Sequence, residues 1–293
     1  LAAVALPWLG ARIAFTCAPG SPAAPVLDGI FMLAYGIAVA TPIVRVRQWR
    51  QLGILAKVVL LAVGNALFYL GQFGVLDSGM RHGIDLGFYL VLGLVLTMAR
   101  RLIPGFTERG TGTQVTMRNS DLVDRASMLG FVAFFVLTAF TPYARAAGLA
   151  AAFCCVLHAW RLSGWWTPGI LTRPLLWSLH LAYANIVAAF ALHALAAFGV
   201  LPATLALHLF AVGGLGLVTV SMMARVALGH TGRNVLAPPR AVAWTCALLM
   251  LAVIARVFVP LLWPAAYATA ILAAQGLWIA TFALLLATYA PFL

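Results

Sequence analysis

Charge is what this sequence has least of. Asp, Glu, Lys and Arg make up 8% of 293 residues, against 64% hydrophobic residues. No water-soluble domain buries that ratio, so the composition points to a polytopic membrane protein. Acids are scarcest, at six: Asp28, Asp77, Asp85, Glu108, Asp121 and Asp124. All sit near helix ends or in loops by their place between apolar runs. A carboxylate near the midplane is a mark of proton- and ion-coupled transport, and its absence here weakens a transporter reading. Cysteine is also sparse. Cys17, Cys154, Cys155 and Cys246 form no C-x-x-C. A disulfide framework, a structural zinc site and a c-type haem attachment are therefore unsupported. The net charge of +12 does not indicate nucleic acid, because the basic residues stand singly or in short groups between apolar runs, where they act as topology signals.

What is present is a series of long apolar runs. Ten helical spans are predicted: 1–17, 26–44, 53–73, 84–100, 126–141, 144–162, 174–199, 203–225, 241–259 and 264–289. Together they make one all-α transmembrane bundle over residues 1–293, in a lipid bilayer. Pro and Gly punctuate most joins, among them Pro142, Pro174, Pro202, Pro238-Pro239 and Pro264. Of the eighteen Lys and Arg, fourteen fall at alternate joins on one side. The other four, Arg12, Arg81, Arg145 and Arg256, fall opposite. The positive-inside rule makes the richer side cytoplasmic, and the C-terminus with it. The first span opens at Leu1 within an apolar run, which reads as a truncated start.

Histidine supplies the chemistry. Four of the six histidines lie within spans. His158 and His180 sit at similar depth near the cytoplasmic ends of consecutive spans. His193 and His208 match in depth near the outer ends of their spans. Paired imidazoles on facing helices hold a b-type haem or a copper ion in helical bundles. The plainer alternative is interhelical hydrogen bonding. His180 and His193 are thirteen residues apart, about 140° around one helix at ~100° per residue, so one face does not present both. Met222 and Met223 are possible soft copper ligands by type, though Met more often fills gaps. Gly213, Gly214 and Gly216 thin the span at its middle, for close helix packing or for a flat macrocycle.

After the 203–225 span comes Gly229-His230-Thr231-Gly232-Arg233. With Arg225 it concentrates donors suited to an anion such as a haem propionate. Lipid headgroups and orientation are the alternative explanation. The run MMARVALGHTGR (Met222 to Arg233), with Leu207-His208 upstream, resembles the NnrS family of membrane proteins. PWLGARIA (Pro7 to Ala14) and RLIPGFTERG (Arg101 to Gly110) resemble two further family segments, the latter an R-x-I-P-x-F-T turn.

The resemblance implies a bacterial inner-membrane protein that carries haem b, with copper as a second metal, and supports the response to nitric oxide. About twelve spans are usual in that family, two more than are counted here. It favours His180 and Tyr183, in LH-x-x-Y, and His208 and His230 as cofactor-binding positions. Arg225, Arg233 and Arg101 are the expected propionate partners. His158 and His193 remain metal candidates that the family pattern does not place. A transporter without haem is the alternative function. An enzyme turning over nitric oxide ranks third, because no turnover site is identifiable. Haem and nitric oxide are thus the expected small-molecule partners.

Overall fold

The computed structural model describes residues 2–112 and 114–292. Leu1, with which the first predicted span opens, lies outside the described residues. The protein is 84% helical with no strand among them. Ten helices follow in order: α1 (Ala2–Cys17), α2 (Ala23–Arg45), α3 (Leu52–Gln72), α4 (Gly79–Gly110), α5 (Asp121–Phe140), α6 (Ala144–Gly164), α7 (Pro174–Ala197), α8 (Ala203–His230), α9 (Arg240–Leu262) and α10 (Tyr267–Tyr289). Nine of the described helices are long and apolar enough to cross a membrane, and α1 is shorter. The chain is a multi-pass all-α membrane protein. Its contacts divide into two compact units, residues 1–91 and 92–293, with the boundary inside α4.

Most predicted bounds fall within a few residues of the observed ones. Two differ for clear reasons. The reading that ended the fourth span at Arg100 and placed Ile103-Pro104 in a turn is corrected: α4 continues through Pro104 to Gly110. Proline removes one backbone donor, here the partner of the Arg100 carbonyl, and a long helix tolerates that single loss. Downstream, Thr107 Oγ1 donates to the Ile103 carbonyl at 2.7 Å and Arg109 Nε to that of Gly105 at 2.8 Å. The fifth helix starts earlier than predicted. Ser120 caps it by accepting from Val123 N–H, and Asp121 and Asp124 lie in its first turn, where carboxylates oppose the positive helix end.

Within residues 1–91, α1, α2 and α3 pack on one another and α4 begins against α3. The α3–α4 approach depends on glycine. A Cβ on Gly71 would meet the Met80 backbone nitrogen at 2.1 Å, and one on Gly83 the Gly64 carbonyl at 2.5 Å.

Within residues 92–293, α7 is the central helix. It packs against α6, α8 and α9, and Ala182, Tyr183, Ile186, Ala189 and Phe190 are fully buried. Helices α8 and α9 are not regular. Each contains a π-helical stretch, Leu209–Gly216 in α8 and Ile254–Phe258 in α9. The first is where α8 meets α7: a Cβ on Gly214 would meet Ile186 at 2.6 Å, and Asn185 Nδ2 donates to the Gly213 carbonyl at 3.2 Å. Widened turns break the 100° progression, so residues on either side of this stretch do not continue one regular helical face. Thr219 is exposed and Met222 half-buried.

Candidate functional site

Two polar regions of residues 92–293 hold His158, Tyr183, Arg225 and His230 among the predicted site residues. The first is a buried network on α5, α6 and α7. Arg161, 5% exposed, reaches from α6 to Asp124 Oδ1 at 2.7 Å and Ser127 Oγ at 2.5 Å. Its other terminal nitrogen donates to the Tyr183 hydroxyl at 3.1 Å. Arg100 of α4 donates to the second oxygen of Asp124 at 3.1 Å. Tyr183 in turn meets His158 Nδ1 at 2.5 Å. Arg161 can only donate, so the Tyr183 hydroxyl accepts from it, while the direction of the Tyr183–His158 contact follows the imidazole tautomer. The ring of His158 also stacks on Phe190, 5.5 Å between centroids and 5° from parallel. The imidazole is thus held in orientation while its Nε2 is buried with no hydrogen-bond partner.

His180, at similar depth on the next helix, has a different environment. Its Nδ1 faces the Leu176 carbonyl at 2.9 Å and its Nε2 the Trp165 carbonyl at 3.2 Å. A neutral imidazole donates to only one of these carbonyls, and the other carbonyl stands against the remaining nitrogen, so neither nitrogen is open to a ligand in this arrangement. The LH-x-x-Y segment therefore contributes Tyr183 to the His158 network, while His180 ties α7 to the end of α6.

The second region is a cavity of about 450 Å³ at the ends of α4 and α8. Phe106, Arg109 and Gly110 of α4 line it, with Met222, Arg225, Gly229 and His230 of α8. The guanidinium of Arg225 lies 4.1 Å over the Phe106 ring, a cation–π contact that holds a charge without neutralising it. Arg225 Nε is buried without an acceptor. No carboxylate pairs with Arg225 or Arg109 among the described residues. Two cations, an imidazole and glycine backbone around one hollow make an anion-receptive site.

The remaining predicted residues are distributed elsewhere. Arg233 is exposed and lies 3.8 Å over the Phe292 ring. Arg101 is exposed; the α4 residues at the cavity are Phe106 and Arg109. His193 packs edge-on to Phe134 at 4.8 Å. His208 Nε2 accepts from Arg256 Nη2 at 2.5 Å. His193 and His208 thus turn to different helices. All four cysteines are free thiols. No group of three or more His, Cys, Asp or Glu is gathered for a metal ion among the described residues.

Sequence reasoning did not identify one further cluster, inside residues 1–91. Asp28, read as a helix-end acid, is 2% exposed within α2. Arg12 of PWLGARIA forms an ion pair with it. Tyr69 Oη donates to the same carboxylate at 2.6 Å, and Asn65 Nδ2 approaches at 3.5 Å. The signal was present in the isolated Arg12 and Asp28 of two neighbouring apolar runs.

Neither the curated proteins nor the solved structures contain a match to this chain. One family model does match, described as NnrS protein, and it covers residues 1–293. The three segments singled out by resemblance occupy definite places in the structure: PWLGARIA supplies the partner of Asp28, while RLIPGFTERG and MMARVALGHTGR line one cavity. By the full-length match, the chain belongs to the NnrS protein family.

Proposed function

We propose that this protein is a haem-binding component of the nitric oxide response in the bacterial inner membrane, with its C-terminus cytoplasmic and copper as a second metal. The observation that carries the reading is the cavity between α4 and α8, where two family segments meet around unneutralised arginines. The orphaned Nε of Arg225 fits a carboxylate-bearing group there. Arg225 and Arg109 would hold the propionates, and His230 would supply an imidazole to the iron. The haem would supply an iron able to bind nitric oxide. Phe106 fixes the Arg225 guanidinium from one side, and Met222 adds an apolar wall.

His158 is the second ligand candidate, because Tyr183 and Arg161 orient its ring and leave Nε2 unpartnered. Ligation through Nε2 requires the ring proton on Nδ1, facing Tyr183. His180 would have to give up two carbonyl contacts to serve, and His208 its contact with Arg256.

The test is an absorption spectrum of protein expressed with ample haem, oxidised and dithionite-reduced, with a pyridine haemochrome assay on the same sample. Sharp reduced α and Soret bands are expected, shifted by nitric oxide and lost in His230→Ala. Arg225→Gln should weaken haem retention while keeping the band positions. A colourless, folded wild-type protein overturns the haem reading and favours transport. The ion pair of the buried Asp28 with the exposed Arg12, beside its own cavity of about 440 Å³, is the observation that supports that second function.

A further inference from the structure

The two π-helical stretches lead to a site that lies apart from the haem reading. His208 immediately precedes the first, and Arg256 lies inside the second. Their side chains meet, Arg256 Nη2 donating to His208 Nε2. π-turns are uncommon and concentrate at functional positions. Here one stretch from each of two helices reaches the same cavity, of about 340 Å³, through Val212 and Arg256.

The chemistry of this cavity is unusual for its place. Arg256 has no carboxylate partner among the described residues. Its neighbours are the neutral His208 acceptor and the Tyr267 ring, 6.0 Å away. Gln275 and Trp278 of α10 line the same hollow and are exposed. An arginine or amide exposed within a span is costly unless something polar meets it. The rest of the wall is apolar, made by Val212, Ala252, Ala274 and Ile279. Trp278 packs so closely on α8 that a Cβ on Gly216 would meet the edge of its ring at 3.2 Å.

Depth identifies the class of occupant. Trp263 and Tyr267 are exposed at the start of α10, where aromatic side chains mark a membrane interface. Gln275 is eight residues beyond Tyr267, about 12 Å further along the helix. That depth is closer to the middle of a ~30 Å hydrocarbon core than to its edge. A phospholipid phosphate belongs at the edge. The occupant must therefore be soluble in the hydrocarbon, carry acceptor oxygens for Arg256 and Gln275, and offer a flat face to Trp278. We propose that this groove binds the ring of a membrane quinone, entering laterally from the bilayer.

The test is photolabelling of the full chain in nanodiscs with an azido-quinone, followed by peptide mapping. Label is expected on α9 and α10, competed by decylubiquinone and not by added phosphatidylglycerol. Gln275→Leu, which places an apolar side chain toward lipid and favours folding, should reduce labelling roughly tenfold, as loss of one buried polar contact does. Ala274→Leu, which narrows the groove, should reduce it as well. Labelling that neither variant changes, or that decylubiquinone does not compete, overturns the proposal. Competition by phosphatidylglycerol would assign the groove to a lipid. Disulfide formation between two Gln275→Cys chains would assign it to a second copy. Either result overturns the quinone reading, and none depends on whether haem is bound.

Discussion

Arg161 and Arg256 are both arginines inside membrane-length helices, each beside a histidine, and they are satisfied in opposite ways. Arg161 is almost fully buried and faces a carboxylate, a serine and a tyrosine. Arg256 is half-exposed and faces an imidazole and an aromatic ring, with no carboxylate among the described residues. A buried charge is retained only when paired. The Arg161 region is therefore a charge-paired network, with only the guanidinium Nε lacking an acceptor, and its product is an oriented His158. The Arg256 region is an incomplete one, with donors left for something else to accept. Arg225 belongs with Arg256 in this respect: it is stacked on Phe106 rather than neutralised.

Substitutions on the two sides should separate them. The largest effect is expected from Asp124→Ala. It strands Arg161 in the interior and breaks the link to Arg100, which should cost about 3–5 kcal/mol. Thermal unfolding in nanodiscs reads this directly. Arg256→Met should change stability by less than about 1 kcal/mol, since no ion pair is lost. Equal losses for the two would mean that they do not differ as the geometry says.

Tyr183→Phe comes next. It leaves His158 Nδ1 buried without its hydroxyl partner and should cost about 1–3 kcal/mol. A metal-loaded sample should also show a changed ligand spectrum if His158 binds. Gly214→Ala should cost a similar ~1–3 kcal/mol, because the new methyl overpacks Ile186 where α8 widens. Hydrogen exchange across Leu209–Gly216 would show whether the π stretch reverts to regular helix. Phe106→Ala is the mildest, at about 0.5–2 kcal/mol for the lost cation–π contact. Its sharper readout is anion affinity at the α4–α8 cavity, which should change more than stability does.

How much of this was legible in advance depends on the kind of information each feature needs. The helices were legible, because a run of about twenty apolar residues is a local property. The meeting of RLIPGFTERG with Arg225 and His230 was foreseen only as arginines on a common side, with Arg101 as the candidate from that segment. Arg101 is instead exposed, and Phe106, Arg109 and Gly110 reach the cavity. The cause is that α4 continues past Pro104, so the residues at its true end are those one to two turns further on. Histidine depth was readable from residue counts. Azimuth was not, which is why His158 and His180 share a depth yet face Tyr183 and two carbonyls respectively.

The amino-acid sequence by itself determined a multi-pass helical membrane protein, its family and the residues able to do chemistry. Each of those follows from composition, run length or a contiguous motif. Tertiary structure alone decided which arginines are neutralised, which histidine nitrogen is left without a partner, and where α8 and α9 widen into π turns. These depend on which side chains from distant helices come within hydrogen-bonding or van der Waals distance. The π stretch Leu209–Gly216 lies where Asn185 and Ile186 of α7 come within van der Waals reach of Gly213 and Gly214.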